Sequence, residues 1–266
     1  MVCGRRSARI LLAIPVYNEA AHVEPVLEQV HQYAPQCCGS GQILVIDDGS
    51  TDQTPALLAR HPVEVIRHAR NRGYGRSLQD AFRWAAVDGF DWVITMDCDE
   101  QHEPAAIPRF VEAIEDVPPH DADVISGSRY LARENCEGSP PADRRAINAQ
   151  ITGELNDRLG LNLTDAFCGF KAYRVGALSR LSLSEDGYAF PMQFWVQAVA
   201  AGLRTREIPV KLIYNDLNRS FGGPLDDPSV RLNHYRCVLH RELRRCADRL
   251  PASARGSAPG AKLVCD

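Results

Sequence analysis

Asp97 and Asp99 are separated by one residue, and Gln101 follows at the same spacing. Two carboxylates and an amide oxygen are the donor types that Mg²⁺ and Mn²⁺ prefer, often with substrate phosphates completing the shell. They follow an apolar run, Trp92 to Met96, that reads as a strand buried on both faces. If the chain stays extended past it, residues 97, 99 and 101 point the same way. A plainer use of the same acids is a solvated loop, or charge placed against the helix that opens at Glu103-Pro104.

Two other strand exits carry polar turns, Pro15 to Glu19 and Asp47 to Asp52. Carboxylates gathered on one sheet edge repel each other unless a cation or a ligand's donors lie between them. Asp48 has the chemistry to accept from a nucleobase N–H, and Tyr17 to pack on a base or ribose, although a normal turn and a half-buried aromatic are the ordinary roles. Arg129, Arg144, Arg145 and Arg219 stand in or beside loops, where arginine is either solvated or grips phosphate with two N–H groups. Asp165 and Cys168 flank a chain reversal at Gly169, with Lys171 on the next strand, a further polar signal whose plainer alternative is a tight turn with a snorkelling lysine.

The elements that must position these residues alternate. Strands are expected over 9–14, 42–46, 63–67, 92–96 and 123–126, with helices between them; Asn18 is placed to cap the first, which runs to about Tyr33. This predicts an α/β domain with a mostly parallel, doubly wound sheet and helices on both faces. The pattern breaks at the polar segment 129–145, and Leu131 to Ala142 is expected to be mobile without ligand. Further helices are expected over 144–159 and 191–201, and further strands over 170–174 and 205–212. An Arg-rich helix follows from Val230 to Leu250. The domain division is then a tail at 1–8, one domain at 9–228 whose two halves meet at about 128, the helix at 229–250 and a disordered tail at 251–266.

Bulk properties narrow the function. The 266 residues are 45% hydrophobic and carry a formal net charge of -4, which argues against nucleic acid as a partner. Nine cysteines without CxxC spacing read as mostly reduced thiols of a cytoplasmic protein, neither a disulfide framework nor a zinc site. No apolar run approaches the roughly 18 residues that span a bilayer. The C-terminal helix has apolar and cationic sides, so peripheral contact with an anionic membrane face stands beside the commoner alternative, docking on its own domain.

The motifs occur in a familiar order: Ile14-Pro15-Val16-Tyr17-Asn18-Glu19, Val45-Ile46-Asp47-Asp48-Gly49-Ser50-Thr51-Asp52, Asn71-Arg72-Gly73-Tyr74-Gly75, Asp97 to Pro104, Gly127-Ser128-Arg129-Tyr130, and Asp165 to Lys171. Over about residues 9–221 the chain resembles family 2 glycosyltransferases of the GT-A fold, and within them the dolichyl/polyprenyl-phosphate sugar transferase branch. That resemblance implies a nucleotide pocket of Pro15, Tyr17, Glu19, Ile46 and Asp48. It implies Asp97 and Asp99 as the DxD pair holding Mg²⁺ or Mn²⁺ on the donor diphosphate, with Gln101 as a further metal ligand. Arg129 would lie near the acceptor phosphate and Arg219 on a loop closing over the diphosphate. Asp97, Asp99, Arg129 and Arg219 would thus carry catalysis, and Asp97, Asp99 and Arg219 would also contact the nucleotide.

Two positions depart from the branch. The Ser-Lys usual after the loop arginine is absent, the chain reading Arg219-Ser220-Phe221-Gly222-Gly223. The acidic position of a Gly-Phe-x-Phe-x-x-Glu stretch is Gln193. Transfer to a hydroxyl needs a general base, whereas a phosphate acceptor is already anionic. Gln193 thus favours a phosphate acceptor, or altered activity. The expected reaction is inverting transfer of a hexose from a UDP- or GDP-sugar to polyprenyl phosphate, in the cytoplasm or at the cytoplasmic membrane face. The alternatives are transfer to a hydroxyl of a glycan or small molecule, and a non-catalytic sugar-nucleotide binding module.

Overall fold

The computed structural model describes residues 8–37, 42–116, 121–132, 136–137, 140–214 and 220–255. Nine strands occur among them: β1 (Ile10–Val16), β2 (Gln42–Asp47), β3 (Glu64–Arg67), β4 (Trp92–Thr95), β5 (Val124–Ser128), β6 (Cys136–Glu137), β7 (Lys171–Arg174), β8 (Thr205–Pro209) and β9 (Leu212–Ile213). The helices are α1 (Val23–Cys37), α2 (Thr54–Leu58), α3 (Tyr74–Val87), α4 (Ile107–Asp116), α5 (Ala142–Leu159), α6 (Val175–Leu178), α7 (Phe190–Ala200) and α8 (Pro228–Arg245).

Seven strands form one sheet in the order β3-β2-β1-β4-β7-β5-β8. β1, β2, β3 and β4 pair in parallel, as do β5 and β8. β7 runs antiparallel between β4 and β5, a reversal within the mostly parallel sheet expected from sequence. Alternation along the strands feeds two cores. Leu11, Ala13, Leu44 and Val93 face the layer built from α3, α5, α7 and α8, while Leu12, Ile14, Val45 and Ile94 face α1 and α4. Both faces are covered, which is why these strands read as unbroken apolar runs.

Several local expectations are corrected. Asn18 does not cap α1, which starts at Val23; it has a positive φ of 55°, and its side-chain oxygen accepts from Thr51 N–H at 2.8 Å. α1 also continues through Pro35. Lys171 does not snorkel: it is buried, donates to the carbonyl of Cys168, and lies 5.6 Å from the Trp195 ring. Among the described residues Cys98, Cys168 and Cys246 are free thiols, and Cys237, which is disulfide-bonded, is an exception to cysteines expected to be mostly reduced.

The polar segment 131–142 falls partly outside the described residues. Within it, β6 pairs in parallel with β9. α8 is capped by Asp227, which accepts from Ser229 and Val230 N–H, with Pro228 at its first position. Tyr235, Val238, Leu239 and Leu243 of α8 are buried, so its apolar side docks on the domain. α8 ends at Arg245 and is followed by two 3₁₀ turns, Ala247–Arg249 and Ala252–Arg255, the second inside the segment expected as a tail; residues 256–266 lie outside the described ones. No helix among the described residues is long and apolar enough to cross a membrane.

Candidate active site

β1, β2 and β4 release their chains at one sheet edge, beside the point where strand order reverses from β1. Ligands of open α/β sheets bind in that crevice. Here a cavity of about 830 Å³ is lined by Pro15, Tyr17, Glu19, Asp48, Asp97, Asp99, Gln101 and Arg129 from the expected set. One expected residue is not brought there. Ile46 is fully buried in the core, and Arg219 lies outside the described residues.

The two nucleotide-side loops are stitched together. Asn18 N–H donates to Ser50 Oγ at 2.9 Å and Glu19 N–H to Thr54 Oγ1 at 2.9 Å. Tyr17, exposed and on the cavity, offers a ring face. Asp48 is buried and already engaged. Its carboxylate accepts from Arg72 and Gly73 N–H, both at 2.8 Å, and sits 2.6 Å from His68 Nδ1. It therefore fixes the loop leading into α3 as well as facing the cavity.

The acidic turn reaches the cavity by a route that simple extension does not give. Glu100 adopts a positive φ of 58°, and Gln101 N–H donates to Asp99 Oδ1 at 3.1 Å. The chain turns, Glu100 points to His22 at 3.7 Å, and Asp97, Asp99 and Gln101 still line one cavity. Burial and then the charge of Asp97 hold Tyr74 well above the usual tyrosine range, so it stays a neutral phenol hydrogen-bonded to Asp97.

Burial lowers the basicity of His102, but the Asp97 carboxylate outweighs it and pushes the ring up to about 9. The backbone N–H of Asp97 opposes this: it donates to His102 Nδ1 at 2.9 Å, which requires a lone pair there. A cation beside Asp97 would cancel the carboxylate's pull and leave the neutral ring favoured.

Two carboxylates and an amide oxygen suit a hard divalent cation. Among the described residues no three His, Cys, Asp or Glu gather into a metal site, so such a cation would take further ligands from a nucleotide. The cradle around Asp97 has no slack. A Cβ on Gly169 would lie 2.5 Å from Asp97 Oδ2 and 2.8 Å from the Tyr74 hydroxyl. Gly169→Ala is therefore expected to weaken Mn²⁺-dependent nucleotide binding about tenfold with only a modest loss of stability, since the atoms that its Cβ meets are side-chain ends that can give way, and the Asp97 carboxylate is the one displaced. Titration calorimetry of the variant with Mn²⁺ and UDP or GDP checks this; unchanged affinity would mean Asp97 is not a ligand held in this position.

The opposite wall is cationic and aromatic, and much of it escaped the sequence reading. Arg129 is bidentate to Asp165, Nε to Oδ2 at 2.6 Å and Nη2 to Oδ1 at 3.0 Å, so at least two of its five N–H donors face inward. Burial opposes the charge on Asp165, but Arg129 and Asn148 hold its carboxyl down at about 2. Arg144 of α5 and Arg231 of α8 lie over Phe221 at 4.8 and 4.5 Å. Tyr188 meets the same ring edge-on at 5.4 Å and stacks on Tyr74 at 6.1 Å. Arg231 is drawn in by the Leu225 carbonyl and by Asp143. Tyr74 sits in the Gly73-Tyr74-Gly75 turn, a signal that was visible; Arg231 had none, because its helix reads only as amphipathic.

Comparison with known proteins agrees with this geometry. A family model described as glycosyl transferase family 2 matches residues 12–182. The undecaprenyl-phosphate mannosyltransferase of Micrococcus luteus is 31% identical over 85% of this chain and 93% of its own. The polyprenol monophosphomannose synthase of Mycolicibacterium smegmatis is 30% identical over 81% of this chain and 82% of its own. Glucosyl-3-phosphoglycerate synthase from Mycobacterium tuberculosis, solved with Mn²⁺, UDP and its glucosylated product, superposes with a TM-score of 0.65 over 92% of this chain and 82% of that one, at 19% identity. The fold is GT-A. With an acidic turn at the end of β4, a nucleotide-sized cavity at the strand-order reversal, and a family match across both, the chain belongs to glycosyl transferase family 2.

Proposed function

We propose that this glycosyltransferase moves a hexose from a UDP- or GDP-sugar to a polyprenyl phosphate, with inversion at the sugar carbon. The observation that carries this reading is one cavity bounded by Asp97, Asp99 and Gln101 on one side and by Arg129, Arg144 and Arg231 on the other. Acids on one side suit a metal-bridged diphosphate; arginines on the other suit a second phosphate. The two mannosyltransferase relatives, whose names specify lipid phosphate acceptors, support the acceptor class and a hexose as cargo.

Tyr17 would stack on the base, Asp48 and Glu19 would border base and ribose, and Asp97, Asp99 and Gln101 would hold Mg²⁺ or Mn²⁺ on the diphosphate. When bound, that cation supplies Lewis-acid neutralisation of the departing diphosphate. The arginines orient the acceptor phosphate with an anionic oxygen toward the sugar carbon. The new C–O bond forms as the bond to the diphosphate breaks, and the electron pair leaves with the nucleotide. No base is needed, since the attacking oxygen carries no proton.

Gln193 does not meet the acceptor, contrary to the expectation from its motif. It is fully buried, away from the cavity. Lipid contact would be peripheral and at the cytoplasmic face. α8 offers limited charge for it, because Arg231, Arg236, Arg241 and Arg245 pair with Asp143, Glu154, Glu185 and Glu242.

The test is release of nucleoside diphosphate from UDP- and GDP-sugars with Mn²⁺, with polyprenyl phosphate or a free sugar as acceptor. Turnover that depends on the lipid phosphate is expected. Equal turnover with a hydroxyl acceptor overturns the acceptor assignment, and nucleotide binding without turnover favours the non-catalytic module.

A further inference from the structure

Behind the wall formed by Glu185, Gly187 and Tyr188 lies a buried polar cluster with no part in the reaction as described. Gln193 and Gln197, one turn apart on α7, and Glu242 on α8 are 0%, 5% and 1% exposed. Gln193 Oε1 accepts from Ser184 N–H at 2.7 Å and Glu185 N–H at 2.8 Å, while Nε2 donates to Glu242 Oε1 at 3.0 Å. Gln197 Oε1 accepts from Ser182 N–H at 2.7 Å; its Nε2 donates to the Ser182 carbonyl at 3.1 Å and to Glu242 Oε2 at 2.9 Å. Three backbone N–H groups require acceptors and one carboxylate requires donors. Only one orientation of the two amides satisfies all four.

The segment anchored this way reaches the site by two routes. The Glu185 and Asp186 carbonyls accept from Gln79 Nε2 at 3.1 Å and Arg76 N–H at 3.0 Å, at the start of α3. The approach there is so close that a Cβ on Gly75 would lie 2.2 Å from the Glu185 oxygen. Further on, Tyr188 stacks on Tyr74, the phenol bonded to Asp97. The half-exposed Arg241 and Arg245, at 3.4 and 3.5 Å, flank Glu242 and offset its charge.

We propose that Glu242 is a positioning residue for sugar transfer. Through Gln193 and Gln197 it sets residues 182–188, and with them the Tyr188–Tyr74 wall between the acidic turn and the arginines. This rests on the transfer reading above. It also gives position 193 a reason to be an amide. A carboxylate there would face Glu242 Oε1 across 3.0 Å with no hydrogen between them. The acid of this helix pair stands on α8, and its amide partner on α7.

An amide–acid exchange tests it in the full chain. In Glu242→Gln the new amide can satisfy Gln197 only by pointing N–H at N–H of Gln193; in Gln193→Glu two carboxylates meet. In the double variant the amide at 242 accepts from Gln197 and donates to the carboxylate at 193, which still accepts from Ser184 and Glu185. Each single change is expected to lower kcat for nucleotide-sugar turnover about tenfold, well below its melting temperature, with donor KM within about twofold. The Ser184 and Glu185 amides should lose exchange protection in step. The double variant should regain both.

Wild-type kcat in the single variants overturns the proposal. So does a double variant whose amides are protected again but which stays slow. Glu242→Asp, which keeps the charge and withdraws it by one methylene, is the milder probe should Glu242→Gln not fold; wild-type kcat with lost protection in it is equally fatal. If the unaltered chain turns over no UDP- or GDP-sugar, the transfer reading fails, while amide exchange across the series still decides whether Glu242 orders the segment.

Discussion

Asp97→Ala and Asp99→Asn are each expected to abolish Mn²⁺-dependent binding of UDP or GDP while the protein stays folded. Both side chains line the cavity at the end of β4. They are the two carboxylates assigned to the metal, so losing either removes half of the charge that the proposed ligand set offers a divalent cation. Turnover should fall by about three orders of magnitude, the scale on which removing a preorganised electrostatic partner of a leaving group acts.

The two variants differ in what else they disturb. Asp97 also accepts from Tyr74 and lies 3.6 Å from His102, so Asp97→Ala should lose some stability; Asp99→Asn keeps size and shape and should lose almost none. Calorimetry with and without Mn²⁺, beside thermal melts, separates these effects. Unchanged nucleotide affinity in both variants with metal present would refute the metal assignment.

That acidic turn was legible in the sequence because an apolar run stopping at charged residues is a strand end in any orientation. The same logic made β1, β2 and β4 readable, and their common edge followed from the alternation of strands with helices. Direction was not legible. Lys171–Arg174 is recognisable as a strand, but periodicity is the same forward and backward, and nothing local says that it enters antiparallel between β4 and β5. Nor does spacing reveal that the chain turns at Glu100, since a left-handed residue other than glycine leaves little trace in sequence.

The cationic wall was harder still. Arg231 reaches the cavity because Asp143, 88 positions earlier, and the Leu225 carbonyl draw it inward, a contact that no local pattern encodes. Gln193 shows the converse error. Judged by motif alone it seemed to speak about the acceptor, yet its neighbours are backbone N–H groups and Glu242, so its chemistry concerns packing of α7 on α8. The Asp165 segment was singled out as a chain reversal, but its pairing with Arg129 was not foreseen, because pairing across 36 positions is invisible until the fold brings them together.

Asp165 is where the second large effect is expected, and it falls on stability. The carboxylate is fully buried, bidentate to Arg129, and accepts from Asn148 Nδ2 at 2.8 Å and from the N–H groups of Phe167 and Cys168, both at 3.2 Å. Removing one member of such a pair leaves the other charge buried without compensation, so Asp165→Ala should cost about 3–5 kcal/mol. Asp165→Asn, which keeps the shape but presents N–H groups to donors, should cost a similar amount. If charge were unimportant and packing decisive, Asn would be tolerated and Ala would not.

The pH dependence gives an independent reading. Burial alone would raise this carboxyl, but Arg129 holds it at about 2, below its unperturbed value of 3.8. A carboxyl depressed in the folded state binds fewer protons there than in the unfolded chain. Its contribution is therefore complete above pH 3.8 and is lost as the pH falls toward 2. Urea denaturation of the wild type at intervals from pH 6 to pH 2 should steepen in that window, and Asp165→Asn should remove this part of the slope. A variant that loses stability at neutral pH but keeps the wild-type slope below pH 4 would show that Asp165 is not the group responsible.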